Sequence, residues 1–446
     1  MKRRSSKLVA IVLTLALTLS FAACGGSAPA AGESKAPAEA APSAATGEKI
    51  ELKFLHKWPQ PENMLYFDEV AAAYMKENPN VTIISEGVGD EPIKDKLRVM
   101  MGSDDRPDVF FSWSGEFAKK FIAAGAALDL TDAMKANDGA WEKSIMQAGL
   151  EPFSSGGKIY GVPLRINGKF FAYNKEIFDK LGLKEPANWD EFLKACDTIK
   201  QNGIVPIAFG DQYPWAACHY ITGLNQKMVP QDVRVKDYEK TTGEFTDPGY
   251  VEALDKFKEL NDKGYFNASP NSTSHDMANQ SFAMGECAMI YVELEEFSSL
   301  DTNMEGTPWG FFAMPTIEGA AGNQKFLVGA PDGFMVSSTS KHPEEAVKFL
   351  QYLVNPENAG KLVEMLKWPS PVIGAINADN SPEYLVNGMK AVESAEGMAL
   401  WLDTDIDIRV SDVYLPGLQD LLNGDITSAD LMTKVQEIAK TVQTAP

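Results

Sequence analysis

The strongest constraint on the fold is the regular alternation of strand-like and helix-like segments along the chain. Residues 50–58 alternate apolar and charged side chains, a helical pattern covers residues 64–76, and residues 81–87 are again strand-like. A second helical segment leads to "PDVFF", a run typical of a strand buried on both faces. This alternation predicts an α/β body with a largely parallel sheet.

The same alternation returns in the second half of the chain. "FFAYN" is strand-like, residues 188–203 form a helix that begins at Asn188 and ends at Gly203, and "IVPIAFG" is another buried strand. Residues 282–297 predict a helix end, a strand and a loop, and residues 342–365 predict two helices separated by a proline. The roughly 400 residues after position 47 suffice for two or three domains.

The first residues have the order of an export signal. Lys2, Arg3 and Arg4 precede an apolar stretch over residues 8–23, which is short for a membrane span. The stretch ends in "LSFAACGG", which resembles a bacterial lipoprotein cleavage motif, although Phe21 stands where leucine is usual. We therefore expect residues 1–23 to be a lipoprotein signal peptide and Cys24 to carry the lipid. Residues 24–47 would then form a flexible tether on the outer face of the membrane, and the chain is expected to come from a Gram-positive bacterium.

Charge and cysteine usage exclude several classes of partner. With 62 acidic and 41 basic residues the net charge is −21, so nucleic acid is not expected as a partner, and the lipid is the only expected link to a membrane. Cys196, Cys218 and Cys287 have no regular spacing, and the four histidines are scattered. We expect no disulfide framework, no metal and no cofactor.

Four runs carry a resemblance to a known family. "YGVPLRINGKFFAYNKEIFDKLGL", "ENPNVTI", "FAMGECAMIY" and "GFMVSSTSKHPEEAVKFLQYLVNPENAG" resemble, in order and spacing, the extracellular solute-binding proteins of bacterial carbohydrate ABC transporters. The resemblance implies a monomer with a two-lobed fold of the periplasmic-binding-protein type II. It would close on a carbohydrate by hinge motion and deliver it to permease subunits. Residues 48–162 with 315–368 would form lobe 1, and residues 163–314 with 369–446 would form lobe 2.

A sugar site needs aromatic rings for the C–H face of the sugar and polar groups for its hydroxyls. Ligands of α/β sheets bind at the carboxyl ends of strands, where aromatic and polar residues occur in this sequence. Two pairs of candidates follow predicted strands: Trp58 with Gln60, and Trp113 with Glu116. A further candidate, Trp215, lies where relatives often have a stacking aromatic. Each tryptophan could instead cap the hydrophobic core.

The remaining candidate ligand-binding residues lie at the expected lobe crossings and in acidic loops. They are Arg165, Asn167, Glu293, Asp332, Trp401, Asp405 and Arg409. Glu293 belongs to "YVELEEF", where many relatives have tryptophan or glycine, and such a loop could simply be solvated. Arg165 and Asn167 could serve only the hinge, and Asp405 and Arg409 could form a surface ion pair.

Two rival functions remain open from the sequence. A surface-anchored glycoside hydrolase would need two carboxylates, and Glu116 with Glu293 could supply them, but no catalytic motif is present. The second rival is a protein of the same fold that binds a polyamine or another small solute, and polyamine binders also use tryptophan and acidic side chains. The favoured interpretation is a binding protein rather than an enzyme, and the several aromatics favour an oligosaccharide.

Overall fold

The computed structural model describes residues 48–101, 103 and 106–444. The signal peptide, Cys24 and the tether that the sequence predicts therefore lie outside the described residues. The strands are β1 (Ile50–His56), β2 (Val81–Gly87), β3 (Val109–Trp113), β4 (Ser154–Ser155), β5 (Lys158–Ile159), β6 (Gly161–Ile166), β7 (Lys169–Asn174), β8 (Val205–Ala208), β9 (Cys287–Glu293), β10 (Trp309–Ala313), β11 (Leu327–Val328), β12 (Pro331–Val336) and β13 (Met398–Ala399).

The α-helices lie between and after these strands. They are α1 (Pro61–Glu77), α2 (Asp90–Met101), α3 (Glu116–Ala123), α4 (Thr131–Lys143), α5 (Gln147–Leu150), α6 (Lys175–Leu181), α7 (Trp189–Gln201), α8 (Trp215–Met228), α9 (Gln231–Tyr238), α10 (Pro248–Asp262), α11 (His275–Ala283), α12 (Phe297–Asn303), α13 (Pro343–Leu353), α14 (Pro356–Leu366), α15 (Glu383–Ser394), α16 (Leu402–Asp405), α17 (Ile408–Asn423) and α18 (Ser428–Thr444). Short 3₁₀ turns cover Glu151–Phe153, Pro270–Ser272 and Leu294–Glu296.

Two larger sheets organise the body. The first has the strand order β2-β1-β3-β12-β6, and the second has the order β10-β7-β9-β8. In the first sheet β3 is buried along its whole length, as the apolar run "VFF" predicts, whereas the edge strand β2 alternates buried and exposed positions. Three hydrophobic clusters form the core of the described residues: one, with Phe111 and Phe349, packs on the first sheet, and the other two, with Phe171 and Tyr414 and with Phe170 and Val363, pack on opposite faces of the second.

The expectation of a largely parallel sheet is wrong, because both sheets are mixed. β1 pairs in parallel with β2 and β3, but β12 pairs antiparallel with β3 and with β6. In the second sheet only the β8–β9 pair is parallel. Helices that are local in sequence connect β1, β2 and β3, and such crossovers make parallel pairs. The strands β6 and β12 instead lie where the chain leaves the first sheet for the second and where it returns.

Local sequence explains where individual helices begin. Asn174 ends β7 and its side chain accepts a hydrogen bond from Ile177 N at 3.1 Å, so strand and helix follow one another without a loop. Asn188 caps α7 in the same way, accepting from Glu191 N at 3.0 Å. Pro356 in the first turn of α14 breaks the run that follows α13, which matches the expected pair of helices.

The chain passes between the sheets through short segments. It leaves the first sheet after Ile166 and enters the second at Lys169, and it returns between Ala313 and Pro331. The three cysteines among the described residues are buried free thiols. Among the described helices, none has both the length and the apolar character needed to cross a membrane.

Candidate functional site

A cavity of about 380 Å³ lies between the two sheets and collects side chains from both. The first sheet and its loops supply Lys57, Trp58, Gln60, Asp90, Glu91, Lys94, Trp113, Arg165 and Asp332. The second sheet and the helices packed on it supply Tyr213, Trp215, His219, Ser274, His275, Asp276, Glu293, Glu295, Glu296, Trp401, Asp403 and Thr404. The described lining thus contains four tryptophans, eight carboxylates and three basic side chains besides the two histidines.

Sheet register brings three of the expected residues together. Asp332 of β12 is the register partner of Trp113 in β3 and of Arg165 in β6, so the three side chains lie side by side on neighbouring strands. A bulge between Asp332 and Gly333 shifts the register at this point. The strands approach so closely that a Cβ on Gly333 would lie 2.0 Å from the Val162 carbonyl oxygen, so only glycine fits there.

Arg165 is the centre of a buried ion network that connects the two sheets. Its guanidinium donates two hydrogen bonds of 2.8 Å to Asp332 and forms an ion pair with Glu295, which follows the second sheet's strand β9. The guanidinium also lies 4.9 Å from the Trp58 ring centroid and 4.8 Å from that of Trp368. These contacts fully engage the side chain, which is 2 % exposed. Its observed role is to join the sheets beneath the cavity.

Lys57 extends the network at the end of β1. Its ammonium lies 2.8 Å from Asp90 Oδ1 and 3.6 Å from Asp332 Oδ2. The same ammonium is 5.0 Å from the centroid of Trp113, and the Lys94 ammonium is 5.5 Å from it. The Trp113 ring is therefore covered by two cations and is largely buried in this conformation.

The four expected tryptophans all line the cavity but differ in what they expose. Trp58 and Trp113 pack mainly into the first core, and Trp401 stacks on His219 with centroids 4.1 Å apart. Trp215 is only half-buried, and Tyr213 two residues earlier is 53 % exposed. The loop before α8 and the first residue of that helix therefore present most of the accessible aromatic surface of the lining.

The loop after β9 holds three carboxylates in different environments. Glu296 accepts a hydrogen bond of 2.5 Å from His275; burial alone would raise its pKa, but the histidine brings the pKa of Glu296 down to about 2. Burial raises the pKa of Glu293, and the nearby positive charge of Lys169 offsets part of that rise. Asn167 donates hydrogen bonds to Glu293 and Glu295 at 3.1 and 2.9 Å, so it supports the loop from behind the cavity wall.

Four of the expected residues do not line the cavity. Asn167 holds the acidic loop, as just described. Glu116 pairs with Lys119 at 2.5 Å, one turn along α3, and Arg409 pairs with Asp407 at 2.8 Å, which caps α17. Asp405 is half-buried close to Gly115, and its partial removal from water raises its pKa to about 7. Neighbouring residues thus engage Asn167, Glu116 and Arg409 outside the cavity. Of the polar candidates, Gln60 does line the cavity.

Several lining residues escaped the sequence reasoning. Tyr213 shares a loop with Trp215, and His219 follows Trp215 by one helical turn, so both could have been found from their position. Asp403, by contrast, belongs to the segment that the sequence did single out around Trp401, and its carboxylate accepts a hydrogen bond from Cys218 Sγ at 3.7 Å. The cavity is also lined by Glu295 and Glu296, which belong to the acidic loop that the sequence marked. No sequence pattern marks most of the other lining residues, which are Lys57, Asp90, Glu91, Lys94, Ser274, His275, Asp276 and Thr404.

Two sheets with separate cores, short crossing segments and a polar, aromatic cavity between them define a two-lobed binding protein of the periplasmic type II fold. The family model for bacterial extracellular solute-binding proteins matches residues 58–360. The chain therefore belongs to the bacterial extracellular solute-binding protein family.

Similar proteins agree with this assignment. The multiple sugar-binding protein of Streptococcus mutans is 25% identical over 346 residues, which covers 75% of this chain and 78% of that protein. A chitin oligosaccharide binding protein has a similar fold, with a TM-score of 0.81 and 24% identity over 90% of this chain and 100% of that one. The raffinose complex of the solute-binding protein RafE has a TM-score of 0.71 and 20% identity, covering 88% of this chain and 100% of that one. The family is one of binding proteins, in agreement with the expectation that the chain is not an enzyme.

Proposed function

We propose that this protein binds a neutral sugar longer than a monosaccharide in the cavity between its two sheets. The observation that carries the proposal is the composition of the wall, where four tryptophans stand among hydrogen-bonding side chains from both sheets. Aromatic faces match the C–H face of a sugar ring, and carboxylates and amines match its hydroxyls. Sugar-binding relatives of the same fold support the same ligand class.

Hinge closure would couple the binding of the sugar to its delivery. The lobes would be residues 48–162 with 315–368 and residues 163–314 with 369–446, and a ligand that contacts both favours the closed arrangement. The Arg165–Glu295 ion pair already bridges residues attached to the two sheets. Closure would present the loaded protein to the permease subunits of an ABC transporter. A lipid on Cys24 would hold the monomer at the outer face of the membrane.

A polyamine is the second candidate, because eight carboxylates face three basic side chains in the described lining. Internal pairing argues against it. Asp90, Asp332, Glu295 and Glu296 each contact a basic side chain of the protein, so half of the lining carboxylates already have a partner within the wall.

Thermal unfolding tests the proposal. Both sheets and all three hydrophobic clusters consist of residues after position 47, so a soluble chain starting at Gly25 retains the whole described body. Raffinose, xylotriose, N,N′-diacetylchitobiose and spermidine are added in turn, and a ligand of the folded state raises the melting temperature. A rise with a sugar, reduced in Trp215→Ala, is the expected result. A rise with spermidine alone would overturn the proposal.

A further inference from the structure

Lys169, His219 and Glu293 form a buried polar cluster at the wall of the cavity. Lys169 of β7 and Glu293 of β9 are direct register partners on antiparallel strands, so their side chains share one face of the sheet. His219 projects from α8, which packs over that sheet, and both His219 and Glu293 line the cavity. Lys169 is 1 % and His219 is 5 % exposed.

The cluster is incompletely hydrogen-bonded. Lys169 Nζ and His219 Nδ1 each lie 3.7 Å from Glu293 Oε1, a separation too long for a hydrogen bond between nitrogen and oxygen. His219 Nδ1 has no hydrogen-bond partner among the described residues. Glu293 Oε2, by contrast, is held by Asn167 at 3.1 Å, which fixes the carboxylate in place. A buried polar atom without a partner, here His219 Nδ1, costs free energy until a bridging group satisfies it.

The charges within the cluster balance. Lys169 and Glu293 form a pair of opposite charge, and burial lowers the pKa of His219 so that its imidazole is neutral. His219 lies between two tryptophans, with ring centroids 5.3 Å from Trp215 and 4.1 Å from Trp401. A ring packed on Trp215 therefore has the cluster at its edge, because the Lys169 ammonium is 5.4 Å from the Trp215 centroid.

A hydroxyl group is the chemical group that fits this cluster. It can donate one hydrogen bond and accept two, whereas an ammonium only donates and a carboxylate only accepts. We propose that the Lys169–His219–Glu293 cluster is a hydroxyl-binding subsite, in which one sugar hydroxyl donates to Glu293 and accepts from Lys169 beside the unpartnered Nδ1 of His219. This inference rests on the proposed function and adds the residues that select a neutral ligand.

The cluster also discriminates against charged ligands. An ammonium placed beside Lys169, or a carboxylate placed beside Glu293, would bring like charges together away from water. Neutral sugars are therefore preferred over amines such as spermidine, even though carboxylates outnumber basic groups in the lining.

Deoxy sugars test the subsite. The tightest binder among raffinose, xylotriose and N,N′-diacetylchitobiose is compared by calorimetry with its monodeoxy analogues. In the wild-type protein we expect one analogue to bind at least a hundredfold more weakly than its parent. In Lys169→Met and in Glu293→Gln, this parent and analogue should bind within threefold of each other. Lys325→Met, which removes an exposed lysine paired with Glu396, should keep the full discrimination. Equal losses for all analogues, or full discrimination in both cluster variants, would overturn the proposal.

A crystal structure of the unliganded wild-type protein supplies a test that needs no sugar. An ordered water within 3.2 Å of both Lys169 Nζ and the Glu293 carboxylate is expected. Direct contacts in the cluster with no water would overturn the subsite. Such a water in a protein that binds none of the three sugars and no spermidine would support the hydroxyl-binding subsite and overturn the proposed function, whereas sugar binding without discrimination among the deoxy analogues would do the reverse.

Discussion

Replacing Arg165 by glutamine should destabilise the protein far more than an ordinary loss of an ion pair. The substitution leaves Asp332 and Glu295 without their shared guanidinium in a buried network. Removing one partner of a buried pair costs about 3–5 kcal/mol. Lys57 remains 3.6 Å from Asp332 and offsets part of the loss, so we expect about 3 kcal/mol, near the lower limit of that range.

Arg409 provides a matched control for this experiment. It also makes two hydrogen bonds to one aspartate, Asp407, but its side chain is 38 % exposed. An exposed pair contributes at most about 1 kcal/mol, so Arg409→Gln should hardly change the melting temperature. Thermal unfolding followed by circular dichroism should show a loss of roughly 3–5 °C for Arg165→Gln, because a body of about 400 residues has a large entropy of unfolding. If both variants lose the same amount, Arg165 does not join the two sheets through a buried network.

Three further predictions concern the wall and its supports. Trp215→Ala should weaken sugar binding by calorimetry on the order of tenfold to a hundredfold, because it removes the accessible ring, while Trp309→Ala outside the cavity should not. Burial raises the pKa of Asp211 to about 8, so the folded state retains a proton that the unfolded state loses above its ordinary value of 3.8. Stability should therefore fall between about pH 4 and pH 8, and Asp211→Asn should flatten that fall in melting temperature. Because the folded pKa of Glu296 is about 2, its pairing with His275 stabilises the protein above pH 4.5 and is lost as the pH falls towards 2, so the deficit of His275→Gln should shrink over that window.

Each of these predictions has a contradicting result. Unchanged sugar affinity in Trp215→Ala would show that the Trp215 ring does not contact the bound sugar. A melting temperature of Asp211→Asn that follows the wild-type pH profile would show that Asp211 is not protonated in the folded state. A His275→Gln deficit that is constant from pH 5.5 to pH 3 would show that Glu296 does not depend on the histidine.

Local pattern predicted most elements because their causes are local. The helix at α7 follows from a capping asparagine and its apolar spacing, and β3 follows from a run of apolar residues that can only be buried. The ends of β1 and β3 could be found in the same way, which placed Trp58 and Trp113 at the cavity. The mixed sheets could not be predicted, since the direction of β12 depends on a chain path that returns from the other sheet.

The charged part of the site was harder to predict for a related reason. Arg165 and Asp332 are 167 positions apart and meet only through sheet register. Arg409, by contrast, pairs with Asp407 only two residues away, and the apolar pattern of the sequence does not reveal this ion pair. Lys169 was not singled out at all, because its significance depends on Glu293 lying opposite it in the folded sheet.

Isothermal titration calorimetry of the soluble wild-type protein tests the central claim most directly. Raffinose, xylotriose, N,N′-diacetylchitobiose and spermidine are titrated separately under the same conditions. The account predicts saturable binding of at least one neutral sugar with one site per chain, and no binding of spermidine. Saturable binding of spermidine with no heat from any of the three sugars would contradict it.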